Sequence, residues 1–143
     1  MAQRPDWDYY FIGIAAAVAQ RATWPRAFVG AVLVKNHRII ATGYNGAAAG
    51  ERHCIGSTNS DGTIDEGAGC LTDENERHCQ RAIHAETNAI SQAAKFAGGA
   101  DGCTMYFWDS RSRDVFDCTK CSQIMKASGI ISVINRDGIA RYL

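Results

Sequence analysis

His84, Glu86, Cys118 and Cys121 are the residues whose types and spacing most directly imply chemistry. One imidazole and two thiols make three soft or borderline ligands suited to zinc. Three protein ligands leave a tetrahedral ion one open position, which a catalytic zinc uses to hold a reactive water, whereas a structural zinc takes a fourth protein ligand. Glu86 stands two residues from His84, a carboxylate placed to carry protons beside the metal. Cys118 and Cys121, three apart, share a face on a helix and can grip one ion. A helix starting near Cys118 adds a backbone dipole that favours the thiolate form. His84 and Glu86 point in different directions on a regular helix. The pair therefore fits a first turn, where the chain enters the helix with one residue on the metal and the other beside a substrate.

The elements that must hold these residues alternate. Trp7, Tyr10, Phe11, Ile14 and Val18 recur at three- and four-residue intervals and predict an amphipathic helix with one core-facing stripe, ending before Trp24-Pro25. Phe28 to Val34 and Ile39 to Tyr44 predict a β-hairpin with Lys35-Asn36-His37-Arg38 as its turn. From Asn45 to about Cys79 the chain is polar and glycine-containing, which predicts a long loop insertion over about 46–79. Ile83 to Phe96 predicts a helix ended by Gly98-Gly99, and Cys103 to Trp108 a buried strand. Cys118 to Ala127 predicts a third helix closed by Gly129, and Ile130 to Ile134 a further strand. Strand, helix and strand in that order imply a crossover and locally parallel pairing. The expected fold is a three-layer α/β/α domain with a mixed central sheet, one domain over residues 1–143.

Length and composition bound the functions. The chain has 143 residues, 46% apolar and 21% charged, which suits one ordinary globular core. No run approaches the roughly 18 apolar residues of a membrane span, and the N-terminus lacks a signal-peptide pattern, so a cytoplasmic location is expected. Fifteen acids balance fifteen Lys and Arg, leaving no broad basic field to recruit nucleic acid. Six cysteines in such a chain are expected as ligands or buried thiols rather than disulfides.

Three stretches carry a resemblance: Val29-Gly30-Ala31-Val32-Leu33-Val34 with Ala41-Thr42-Gly43-Tyr44-Asn45-Gly46, then His84-Ala85-Glu86-Thr87-Asn88-Ala89-Ile90, then Cys118-Thr119-Lys120-Cys121. With H-x-E followed by C-x-x-C, a recognised zinc deaminase signature, the chain resembles the cytidine and deoxycytidylate deaminase superfamily. The Thr-Gly-Tyr-Asn-Gly run points toward its dCMP branch. The resemblance implies a cytidine deaminase-like fold in which His84, Cys118 and Cys121 hold catalytic zinc and Glu86 is the proton shuttle. It further implies that Asn45 contacts the sugar and that the backbone at Ala85 helps position the base. Arg26, just before the first strand, is the favoured phosphate cation. The implied reaction is hydrolysis of dCMP to dUMP with loss of ammonia, supplying a thymidylate precursor. Cytidine, dCTP or a modified cytosine nucleotide are alternative substrates, and a zinc-stabilised nucleotide-binding domain without catalysis is the non-enzymatic alternative. A homo-oligomer, commonly a hexamer among relatives, is implied as well, with neither nucleic acid nor membrane as partner.

The chain departs from the pattern in places. Asp117 stands where proline usually precedes the first cysteine, and the Asp109 to Phe116 stretch is longer and more charged than the usual link. Asp117 remains a good helix N-cap. Cys54, Cys70 and Cys79, with His53 and His78 as neighbours, are candidates for a second, structural zinc in the loop, although Trp24 occupies the place of one ligand in certain relatives. Cys103 reads as a core thiol, His37 as a solvent-facing turn residue, and Arg111 and Arg113 as a solvated face. Trp108 and Phe116 read as core aromatics, with stacking on a base as the alternative.

Overall fold

The structure, a computed structural model, describes residues 2–69, 81–111 and 118–143. Helix α1 spans Trp7–Ala19 and is capped by Asp6, whose Oδ1 accepts a hydrogen bond from the Tyr9 backbone N–H at 2.8 Å. Strands β1 (Val29–Lys35) and β2 (Arg38–Tyr44) form the expected hairpin. Its turn is tighter than the four-residue estimate. Asn36 and His37 both adopt positive φ, 52° and 59°, the signature of a two-residue turn whose twist matches the strands. His37 is exposed, yet its ring stacks on the Trp7 indole at 4.3 Å.

The segment after β2 is not wholly irregular: β3 (Ser57–Thr58) and β4 (Ile64–Asp65) pair as a small hairpin. Helix α2 runs Ala85–Phe96, strand β5 Thr104–Asp109, helix α3 Thr119–Ala127, and strands β6 Ser132–Ile134 and β7 Ala140–Tyr142 close the described chain. Helix α2 begins two residues later than its apolar pattern suggests, because the Ile83 backbone exchanges both hydrogen bonds with Gly46, at 2.8 and 3.1 Å. Strand β7 has no counterpart in the sequence pattern. Its three exposed residues bury nothing and so leave no apolar signature.

Among the described residues five strands form one sheet, in the order β2-β1-β5-β6-β7. Strand β1 is antiparallel to both neighbours, β5 and β6 are parallel across α3, and β7 is antiparallel to β6. The sheet is therefore mixed, as expected. On one face Val32, Val34, Tyr106 and Ile134 pack on Phe11 and Ala15 of α1. On the other, Ala31, Leu33, Met105, Phe107 and Val133 pack on Ala85, Ala89 and Ala93 of α2 and on Met125 of α3. All of β1 except Lys35 is buried, as a strand covered on both faces requires.

Two glycines set the layer spacing. A Cβ on Gly43 would overlap the backbone of Ala85 and Ala89 in α2, and one on Gly30 would overlap Ala15 and Ala19 in α1. This close approach also corrects the expected stripe of α1. Its buried residues are Phe11, Ala15 and Ala19, while Trp7 and Tyr10 stay half-exposed, because only alanine fits where helix and sheet backbones nearly touch.

Gly43→Ala should cost about 1–3 kcal/mol or more, since the overlap is with backbone that cannot rotate away. Gly13→Ala, at an exposed helical position with nothing within 4 Å of its Cβ, should stabilise by roughly 0.5–1 kcal/mol. Urea unfolding of both variants checks the pair; a neutral Gly43→Ala would contradict the close approach.

Candidate active site

The first turn of α2 is held against the end of β2 by polar bonds. Besides the Gly46–Ile83 exchange, Asn88 Nδ2 donates to the carbonyl oxygen of Tyr44 at 2.8 Å, with those of Gly46 and Ile83 at 3.3 and 3.4 Å. His84 occupies the N-cap position of α2 in extended backbone, and its side chain does not cap the helix. Its Nδ1 instead faces Cys121 Sγ at 3.1 Å. Cys118 caps α3, its Sγ accepting from the Cys121 backbone N–H at 3.3 Å. The helix cap is thus Cys118 itself, one residue after the Asp117 expected to serve. Two helix N-termini converge, and their unpaired N–H groups favour negative charge between them.

Among the described residues, His84, Cys118 and Cys121 bring one ligand atom each within 4.8 Å of one another. With bonds of about 2.0–2.3 Å, tetrahedral zinc separates its ligands by roughly 3.3–3.8 Å, so a sub-ångström to 1 Å adjustment closes the cluster. An imidazole nitrogen and two sulfurs are also the donor set zinc prefers. The residues fit the metal.

Glu86 is 5% exposed. Burial is the main cause that raises its carboxyl to about 7, opposed by hydrogen bonds from its own backbone N–H and the Cys121 thiol. Burial, and then the Glu86 charge, push the Cys121 thiol up in turn. Both groups resist ionisation chiefly because they are buried. A dication at the cluster reverses both effects, since a coordinating thiol is deprotonated outright.

Asn45 is buried, with Oδ1 accepting from Val29 N–H and Nδ2 donating to Ala27 O, both at 2.9 Å. These bonds tie the start of β1 to the end of β2, and one lone pair and one N–H remain on the side chain. Ala85 opens α2 and is buried; Arg26 is exposed in the loop before β1. Cys54 is buried, and His53 beside it keeps a buried Nδ1 that has no hydrogen-bond partner among the described residues. Cys70, His78 and Cys79, and likewise Arg113, Phe116 and Asp117, lie outside the described residues. Cys103 is a core thiol, fully buried. Trp108 packs on the α1 side of the sheet, the face opposite Glu86.

Arg111 is exposed, as expected, but its guanidinium is engaged. Its Nε and Nη2 donate to the Asp109 carboxylate at 3.1 and 2.9 Å, and its guanidinium lies over Trp24 at 5.5 Å. Sequence reasoning missed Asp109 and Asn88 as positioning residues. Asn88 left a faint signal, a poor helix former in a first turn; Asp109 left none, because its burial depends on Arg111 folding back.

The sequence profile of the cytidine and deoxycytidylate deaminase zinc-binding region matches residues 5–136. The chain is 40% identical over 136 residues to the deoxycytidylate deaminase of Mycobacterium phage D29, covering 92% of this chain and 94% of that one. It is 37% identical over 131 residues to ComE operon protein 2 of Bacillus subtilis, covering 92% of this chain but 59% of the relative's length. The crystal structure of dCMP deaminase from cyanophage S-TIM5, in complex with dCMP and dUMP, superposes with a TM-score of 0.65 at 25% identity, covering 94% of this chain and 83% of that one. Cytidine deaminase from Mycobacterium leprae shares the fold, with a TM-score of 0.58 at 19% identity, covering 97% and 94% of the two chains.

A carboxyl raised from 4.5 unfolded to about 7 folded contributes stability that is full below pH 4.5 and lost as pH rises through 7. With zinc chelated, Glu86→Gln should therefore gain on the parent by about 3 kcal/mol between pH 4.5 and 7.5. Denaturant unfolding across that range measures it, and a difference independent of pH would contradict the buried carboxyl.

Proposed function

We propose, on the premise that the chain belongs to the cytidine and deoxycytidylate deaminase family, that it hydrolyses dCMP to dUMP and releases ammonia. The observation that carries this reading is Glu86, a buried carboxyl at the first turn of α2 beside the His84, Cys118 and Cys121 donors. A domain that only held zinc would not need a dry carboxylate there. The named activity of the phage D29 relative and the ligands of the S-TIM5 structure support the substrate.

His84, Cys118 and Cys121 would hold the zinc, which when bound supplies a water activated near neutral pH. Glu86 accepts a proton from the attacking water and delivers it to ring N3, breaking the aromatic resistance of the base to attack at C4. The same carboxylate then moves the second proton to the exocyclic amine, which leaves as ammonia. Burial keeps the Glu86 proton from exchanging with solvent between the two transfers. Ala85 offers its backbone N–H, one of the helix donors without an intrahelical partner, to the base. Asn45 uses its remaining donor and acceptor on the sugar, and the phosphate calls for a cation at the rim of the site, for which the exposed Arg26 is one candidate.

The reading extends to one domain over residues 1–143, a homo-oligomer and a supply of dUMP for thymidylate synthesis. It includes a second ion held within the 46–79 segment by Cys54, Cys70, Cys79, His53 or His78. No described helix is long and apolar enough to cross a membrane.

Purified protein should release ammonia from dCMP in preference to deoxycytidine, dCTP and an RNA hairpin. Glu86→Gln should cut kcat by at least about 10³-fold while zinc stays bound. His84→Ala or Cys118→Ala should lower the zinc content by one ion per chain. Turnover that persists in Glu86→Gln would sink the mechanism, and a parent holding a single zinc would remove the second ion.

A further inference from the structure

Asp109 ends β5 on the face that carries Met105 and Phe107, which is the face of α2 and Glu86, and it is 2% exposed. A carboxylate that deep needs partners. It takes three from Arg111: the backbone N–H at 2.7 Å, Nε at 3.1 Å and Nη2 at 2.9 Å. The Trp24 ring backs the guanidinium, and Arg136 fixes the strand end by donating to the Asp109 carbonyl at 2.9 Å while lying over Trp108. Arg111 is thus a preorganised cation. Of its five N–H groups two are used on Asp109; two on Nη1 and one on Nη2 have no partner among the described residues, and a third of the side chain is open to solvent. Met105 and Phe107, on the Asp109 face of β5, pack in one cluster with Ala85, the neighbour of Glu86, and Trp24 packs against the same cluster, so the Asp109-bound guanidinium lies on the sheet face that carries the site.

The chain's formal net charge is zero, so a substrate anion must be captured by a local, fixed donor. We propose that Arg111 is that donor: its Nη edge, held by Asp109 and Trp24, binds the phosphate of the nucleotide whose base lies against Glu86. This rests on the reading of the site as a nucleotide deaminase and makes Arg111, rather than Arg26, its phosphate anchor. A planar fork suits a phosphate because it donates two parallel bonds, and pre-fixing the side chain avoids ordering it on binding.

The test compares kcat/KM for dCMP and deoxycytidine, and calorimetric affinities for dUMP and deoxyuridine, across the parent, Arg111→Lys, Arg26→Ala and the double variant Arg111→Gln/Asp109→Asn. The double variant avoids leaving a buried carboxylate unpaired. It should lose about 100-fold in the dCMP-to-deoxycytidine ratio, mostly through KM, with a matching drop in the dUMP-to-deoxyuridine affinity ratio. Arg111→Lys, which keeps charge without the fork, should fall between, and Arg26→Ala should change the ratios far less. Equal losses on the phosphorylated and unphosphorylated ligands, or ratios within threefold of the parent, overturn the proposal. If the double variant does not fold, Arg111→Lys decides by the same ratios. A parent without turnover on any cytosine compound defeats the deaminase reading, while the two affinity ratios still judge Arg111.

Discussion

Where α2 crosses β2, the backbones come close enough that a Cβ on Gly43 would lie 2.9 Å from Ala89 Cα and would overlap its neighbours. The helix answers with alanines at 85, 89 and 93, one turn apart, and all are buried. Helix and strand therefore behave as one rigid unit. The polar bonds of Asn88, Gly46 and Ile83 then fix where along that unit the helix starts. Because His84 and Glu86 occupy the cap and first turn, the start of the helix is also the position of the metal ligand and the proton carrier.

The second constraint is electrostatic. Glu86 and Cys121 are both buried and adjacent; burial disfavours ionisation of each, and the Glu86 charge disfavours it further at Cys121. Two helix N-termini and a dication are the sources of positive potential that such a pair requires. Asp109, a further buried carboxylate near Glu86, has its own neutralising cation in Arg111. The site therefore segregates its charges: one carboxyl is left for proton transfer, and the other is spent on holding a guanidinium at the rim.

Family membership explains the shared parts and isolates what differs. The S-TIM5 enzyme superposes over 94% of this chain although only 25% of residues are identical. Strand packing and the metal cluster need few side-chain identities. The end of β5 and the residue two beyond it carry the Asp109–Arg111 pair.

Much was legible from sequence alone. The three helices, the hairpin and the two strands flanking α3 follow from apolar periodicity and from glycines at 98, 99 and 129, all three with positive φ. The metal donors and the proton carrier follow from ligand chemistry and spacing. These are local properties, readable in short windows. Tertiary structure decided what short windows cannot contain. The small β3–β4 hairpin and the exposed strand β7 carry no apolar pattern. The alanine stripe of α1 depends on a glycine in β1, and the role of Asn45 as a tie between strands depends on backbone 16 and 18 residues away. The engagement of exposed Arg111 is likewise tertiary, because its partners, a buried Asp109 and Trp24, come together only after the sheet has formed and the α1–β1 loop has packed beside it.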